Sequence, residues 1–210
     1  MPPTAPAPSR SLSGKAPIVV LASQSAYRRE LLGRLLSAFE TMAPKVDETR
    51  KPGEAPIQLA RRLAKLKATA GAERYPGAII VGSDQVAALD EETLGKPGTA
   101  ERAVDQLLRC AGHIVEFHTA VCVVGPDGNP PLTYVDTTRA HFRGMSRLEA
   151  EAYVAADQPL DCAGSFKAEQ RGVLLLDRLS SEDPTAIQGL PLIWLAQALR
   201  KRGVCLLSLP

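Results

Sequence analysis

The sequence predicts an α/β domain built on a mixed, twisted sheet with helices packed against it. Three observations lead there. Short apolar runs rich in branched residues alternate with helical-period segments through the first half of the chain, the alternation of a sheet covered by helices. Two long strand-like segments, 114–124 and 132–142, flank Gly125-Pro126-Asp127-Gly128, a strong turn signal that makes them an antiparallel pair. A chain of 210 residues, 45% hydrophobic and 23% charged, can bury a core of this size without disulfides or metal.

The elements follow in order. Residues 18–22 read as a buried strand. Ser25 is placed to cap a helix in which Leu31, Leu32, Leu35, Leu36 and Phe39 recur at helical spacing. An extended piece at 39–44 leads through a Pro52-Gly53 loop to a helix with a Leu59, Leu63, Leu66 stripe, ending near Gly71. Residues 78–81 read as a strand closed by Gly82-Ser83-Asp84, with a second strand at 86–89 and a turn at 90–92. A helix is expected over 99–111, the hairpin over 114–142, and a helix over 146–156. A strand is expected at 173–176 and a last helix over 184–201, stopped by Gly203.

The formal net charge is only +2, and no basic run marks a nucleic-acid polymer as partner. Cys110, Cys122, Cys162 and Cys205 form no Cys-x-x-Cys pair. That argues against a zinc ribbon or redox dithiol and for reduced thiols in the cytoplasm. Residues 1–16 are rich in Pro, Ala and Ser, lack a signal-peptide core and read as a disordered tail. The domain is expected over 17–205, with a short C-terminal tail at 206–210. No stretch approaches the roughly 20 apolar residues of a membrane span.

Several clusters carry residue types suited to phosphate chemistry. In Ser23-Gln24-Ser25-Ala26-Tyr27-Arg28-Arg29, a strand ends and a helix begins, which presents free N–H groups and a positive dipole end to an anion. Arg28 precedes Leu31 and Leu32 by three and four positions, so it joins the inward stripe and needs an anionic partner. A capped helix with a salt-bridged arginine explains the same residues. Asp84, after an apolar strand, can hold a divalent metal or take a proton from water; it also suits an ordinary turn. Glu48 is a second acid that can face a site or simply solvent. Lys67 and Lys96 can neutralise phosphate oxygens or lie at the surface. In the run 161–169, small residues allow close backbone approach. There Phe166 can stack on a base or fill the core, and Glu169 can accept hydrogen bonds from a base.

Taken in order, these clusters resemble the Maf family of nucleotide pyrophosphatases. Leu21-Ala22-Ser23-Gln24-Ser25-Ala26-Tyr27-Arg28-Arg29 is similar to its N-terminal signature. Val46-Asp47-Glu48-Thr49, Lys67, Gly82-Ser83-Asp84-Gln85, Gly95-Lys96-Pro97, Cys162-Ala163-Gly164-Ser165-Phe166 and Gly189-Leu190-Pro191-Leu192 follow in the family's sequence. The resemblance implies a Maf/ITPase-like fold with two lobes around a central cleft. It implies hydrolysis of a nucleoside triphosphate between its α and β phosphates with a divalent cation, Mg²⁺ or else Mn²⁺ or Co²⁺. By the same resemblance Asp84 is the proton acceptor, and Ser23, Arg28, Arg29, Lys67 and Lys96 hold the triphosphate. Glu48 and Asp84 hold metal, and a homodimer is the expected assembly. Tyr27, Gln85, Phe166 and Glu169 resemble the branch that prefers 7-methyl-GTP, with Tyr27 standing where tryptophan is familiar. The alternatives are a pyrophosphatase for dTTP, UTP or other non-standard nucleotides, and a nucleotide-binding cell-division regulator with little catalysis.

Overall fold

A computed structural model describes residues 17–207. The tail expected at 1–16 and residues 208–210 lie outside the described residues. Within the expected C-terminal tail, Leu206 packs partly buried against the core.

The elements are β1 (Val19–Ala22), α1 (Ala26–Gly33), β2 (Glu40–Met42), α2 (Pro56–Arg74), β3 (Ile79–Leu89), β4 (Glu92–Leu94), α3 (Ala100–Cys110), β5 (Ile114–Val124), β6 (Leu132–Phe142), α4 (Arg147–Asp157), β7 (Leu176–Ser180) and α5 (Leu192–Lys201). The strands form one seven-stranded sheet in the order β2-β1-β3-β5-β6-β7, with β4 also on β3. β1 runs parallel to β2 and β3, and the other pairs are antiparallel. The sheet is therefore mixed, as expected.

Strand alternation sorts the core into three clusters. Val19, Leu21, Ile79 and Val81 pack under α1 and α5 with Leu31, Leu195 and Leu199. Val20, Ala22, Ile80 and Cys122 face α2 through Leu59, Leu63 and Ala68. At the far end of the sheet, Ala87, Phe117 and Phe142 pack with Leu107 of α3 and Tyr153 of α4. The first two clusters make one lobe and the third makes the other. β3, β5 and β6, of 11 residues each, run through both.

One feature of β3 opens the site. β5 pairs along one edge of β3 from Ile80 to Leu89. On the other edge β1 covers residues 79–82 and β4 covers 87–89. Residues 83–86 thus have no strand partner on that edge, and the interval lies between the two lobes.

Five expectations need correction. The helix read through Phe39 stops at Gly33, and Leu35, Leu36 and Phe39 pack partly buried beyond its end. The strands read at 78–81 and 86–89 are one continuous strand, with Gly82-Ser83-Asp84 inside it rather than closing it. Residues 173–176 begin as a 3-10 turn (Arg171–Leu175), and the strand follows it. The last helix starts at Leu192 rather than near 184. A 3-10 turn (Ala186–Gln188), Gly189 at φ +109° and Pro191 interrupt the helical pattern first. On α2, Leu66 is 38% exposed while Lys67 is buried. The inward stripe therefore runs Leu59, Leu63, Lys67 at i, i+4 spacing, so Lys67, four positions after Leu63, lies on the stripe and Leu66 lies off it.

Candidate active site

The interval in the sheet opens into a cavity of about 770 Å³, within the usual range of about 300–1,000 Å³ for ligand pockets. Both lobes line it. Ser23, Tyr27, Arg28, Glu48, Lys67, Asp84, Gln85, Lys96, Phe166 and Glu169 all reach its wall. Of the residues singled out from sequence, only Arg29 does not; it is exposed.

The end of the cavity nearest α1 is built from backbone upward. β1 ends at Ala22, and the Ser23 hydroxyl accepts the Ser25 N–H at 3.1 Å. Ser25 is the N-cap of α1, as expected, and its hydroxyl accepts from the Arg28 N–H. This turn leaves Tyr27 and Arg28 on the cavity wall.

Facing them, α2 lies unusually close to β3. A Cβ on Gly82 would come within 2.4 Å of the Ala64 carbonyl and the Ala68 nitrogen, so only glycine allows this approach. The approach sets Lys67 over Asp84. The Lys67 ammonium stands 2.6 Å from Asp84 Oδ1 and 2.7 Å from Glu48 Oε1. Lys67 and Asp84 are nearly buried, while the Glu48 side chain is 57% exposed. Two carboxylates from separate elements therefore converge on a single cation.

Glu48 is held by the loop beneath it. Arg62 bonds both Glu54 carboxylate oxygens at 2.6 and 2.8 Å and the Thr49 carbonyl at 2.9 Å. Arg62 draws the Glu54 carboxyl down to about 2.

Arg28 is fixed from across the cavity. Its Nε donates to the Gly189 carbonyl at 2.9 Å. The Ser83 hydroxyl lies 3.0 Å from the same carbonyl and 2.9 Å from that of Ala120. Desolvation lowers the Arg28 pKa, while Asp84 and Glu48 oppose that shift; the guanidinium stays charged. In the sequence Gly189 stands out only as part of the Gly189-Leu190-Pro191-Leu192 signature. Its carbonyl is a backbone group, invisible to residue-type reasoning.

Gln85 is committed to the same turn. Its amide nitrogen lies within hydrogen-bond distance of Ala186 O at 3.1 Å, Ile187 O at 3.0 Å and Thr119 Oγ1 at 2.9 Å. Lys96, exposed after β4, reaches the cavity from the other lobe. Arg50, not singled out from sequence, also lines it and contacts the Glu91 carbonyl at 3.3 Å.

Beside Tyr27 the wall is acidic and aromatic. The Tyr27 hydroxyl sits 3.9 Å from Cys162 Sγ, which is 3.5 Å from Asp161 Oδ1. Burial, then Cys162, Asp161 and Glu169, all push the Tyr27 phenol upward. Burial and Asp161 push the Cys162 thiol up to about 12, which removes it as a nucleophile. Phe166 is 5% exposed. It packs against Phe117 and Phe142 at 5.8 and 5.5 Å, so its ring is part of the far lobe's core where that core meets the cavity.

The cavity wall therefore carries the cations Arg28, Lys67 and Lys96 together with the acids Glu48 and Asp84 that share Lys67, and Asp161 and Glu169 near Tyr27. Among the described residues, no group of three or more His, Cys, Asp or Glu is placed to hold a metal. Nor is any helix there long and apolar enough to cross a membrane.

Known proteins resemble this chain over most of its length. A 7-methyl-GTP pyrophosphatase of Xanthomonas campestris pv. campestris (strain 8004) is 53% identical over 190 residues, covering 90% of this chain and 98% of that protein. The protein of that name from Xanthomonas axonopodis pv. citri (strain 306) is 52% identical over 187 residues, covering 89% and 97%. One from Bordetella pertussis (strain Tohama I) is 50% identical over 188 residues, covering 90% and 94%. Among solved structures, the Staphylococcus aureus Ham1 protein superposes with a TM-score of 0.51 at 14% identity, covering 87% of this chain and 98% of that one. That likeness concerns the fold alone. Residues 18–202 match the family described as Maf-like protein, and with half the residues shared over nearly the full length of these relatives, the chain belongs to that family.

Proposed function

We propose that this protein hydrolyses 7-methyl-GTP to 7-methyl-GMP and pyrophosphate, removing a modified nucleotide from the pool. The observation that carries the reading is one cavity in which Arg28, Lys67 and Lys96 meet the carboxylates of Asp84 and Glu48. Cationic side chains and the start of α1 suit three linked phosphates. The carboxylates beside Tyr27 suit a base made cationic by N7-methylation. The names of relatives about half identical over most of the chain support the same substrate.

Water attacks the α-phosphorus, a new P–O bond forms, and the bond from that phosphorus to the α,β-bridging oxygen breaks. Asp84 takes the proton from water. Arg28, Lys67 and Lys96 offset charge on the departing pyrophosphate, the electrostatic positioning on which phosphoryl transfer depends. Glu48 and Asp84 fit a divalent cation, since both already direct oxygen donors at one cationic centre. Two carboxylates completed by phosphate oxygens and water are an arrangement that Mg²⁺ favours. When bound, the cation supplies Lewis-acid polarisation and charge neutralisation at the phosphates. The reading carries with it a cytoplasmic location and a homodimer, as the family resemblance implies.

A panel of nucleoside triphosphates, with monophosphate and pyrophosphate both measured under Mg²⁺, Mn²⁺ or Co²⁺ titration, tests the proposal. 7-Methyl-GTP is expected to give the highest kcat/KM. Preference for dTTP or UTP would sink the substrate assignment. Tight nucleotide binding without turnover would sink the enzymatic one.

A further inference from the structure

The turn between β7 and α5 carries the Gly189 carbonyl that receives Arg28, and buried acids hold this turn from behind. Asp183 is 2% exposed. Its Oδ1 accepts from the Thr185 N–H at 3.0 Å and the Thr185 hydroxyl at 2.6 Å, and its Oδ2 accepts from the Ile193 N–H at 2.7 Å. The start of α5 needs these acceptors. Pro191 stands at its N-cap and supplies no side-chain bond, so the first N–H groups of the helix would otherwise be unsatisfied. Thr185 Oγ1 accepts a second of them, from Leu192, at 2.9 Å. Asp136 of β6, 1% exposed, ties the turn to the sheet through the Asp183 N–H at 3.0 Å.

No basic side chain pairs with Asp183 among the described residues. A buried charge without a counter-ion is costly, so hydrogen bonds and the positive end of α5 must offset it. The site also demands a carboxylate. Both oxygens receive donors from different ends of one turn, and an amide would set its NH₂ against one of them.

We infer that Asp183 is a positioning residue for Arg28. Its carboxylate closes the turn onto α5, and so holds the Gly189 carbonyl where it fixes the Arg28 guanidinium at the phosphate end of the cavity. The inference rests on the pyrophosphatase reading for the role of Arg28.

A double-mutant cycle tests it. Asp183→Asn, at a temperature where its unfolding transition shows it folded, is expected to lower kcat/KM by roughly 10- to 100-fold, the scale of a misplaced group at a reacting centre. In an Arg28→Ala background the same substitution is expected to cost less than about threefold, because the group it positions is gone. Wild-type kcat/KM in Asp183→Asn, or a loss carried in full into the Arg28→Ala background, overturns the inference. Should Asp183→Asn fail to fold, Thr185 serves the same cycle. Thr185→Ser keeps the hydroxyl and wild-type turnover, while Thr185→Val loses turnover only where Arg28 is present. A Thr185→Val loss that persists without Arg28 overturns the inference equally. Failure of the pyrophosphatase reading is a separate outcome: wild-type protein that releases no pyrophosphate from any triphosphate sinks that reading. The cycle is then read on triphosphate affinity by calorimetry, with the same criterion of vanishing or persisting loss.

Discussion

The Lys67 ammonium stands 2.6 Å from the Asp84 carboxylate, with both side chains nearly buried. Such a pair is stabilised by close geometry against a large desolvation cost, and removing either member leaves the other exposed to that cost. Glu48 shares the same ammonium at 2.7 Å, so one cation is balanced by two carboxylates.

Asp84→Asn is expected to lose turnover while staying folded at some cost in stability, because Glu48 still pairs with the Lys67 ammonium at 2.7 Å. The amide preserves the shape in β3 but cannot take a proton, and the loss of a general base costs about 10²- to 10⁴-fold in kcat. Steady-state kinetics beside a thermal unfolding curve check this. Near-normal kcat in a folded variant would remove Asp84 as the base.

Gly82→Ala is expected to damage stability and activity together. The new methyl group meets the backbone of α2 at 2.4 Å, so the helix must shift, an overpacking cost of about 1–3 kcal/mol. The shift also moves Lys67 away from Asp84. Urea denaturation and kcat/KM measure the two effects, and a loss of stability without loss of activity would separate helix packing from the site.

Acid stability should depend on Arg62. Its bonds to Glu54 lower that carboxyl from 4.5 to about 2 in the folded protein. A carboxyl depressed on folding contributes stability that is fully present above its unfolded pKa and is lost as pH falls through the folded one. Between those two values the wild-type protein loses this contribution. Arg62→Gln, in which the folded pKa returns upward, should show a shallower decline over the same interval. Urea midpoints across that range are the measurement, and parallel curves would show that the pair does not couple to folding.

Selectivity should respond to Tyr27 and Glu169 rather than to the phosphate-facing cations. An aromatic face attracts a cationic ring by about 0.5–2 kcal/mol, so Tyr27→Ala should lower the ratio of 7-methyl-GTP to GTP turnover by roughly 2- to 30-fold. Glu169→Gln should lower the ratio in the same direction. Competition kinetics between the two nucleotides would show it, and an unchanged ratio in Glu169→Gln would end the carboxylate's role.

Much of this was legible in the chain. The hairpin limits came directly from the turn at 125–128 and the strand patterns beside it, and the Ser25 cap came from its place before a helical stripe. The cavity residues were found by type and order. What was misread shares a cause: a local signal with two meanings. Gly82 reads as a turn, but here it admits a helix against an unbroken strand. Residues 184–191 have apolar helical spacing, but backbone bonds and Pro191 spend them on a turn. The role of Gly189 was hidden because it resides in a carbonyl, and that of Asp183 because its partners are backbone amides.

The unbroken run of β3, β5 and β6 through both lobes restricts how the molecule can move. Domains joined by a loose tether can swing shut over a ligand, but three hydrogen-bonded ribbons shared across the waist resist such bending. The mouth is set when the chain folds, and the entropy of ordering its walls is lost then rather than when substrate arrives. Adaptation to a different base would therefore come through side-chain replacement at a nearly fixed frame, with little help from rigid-body closure.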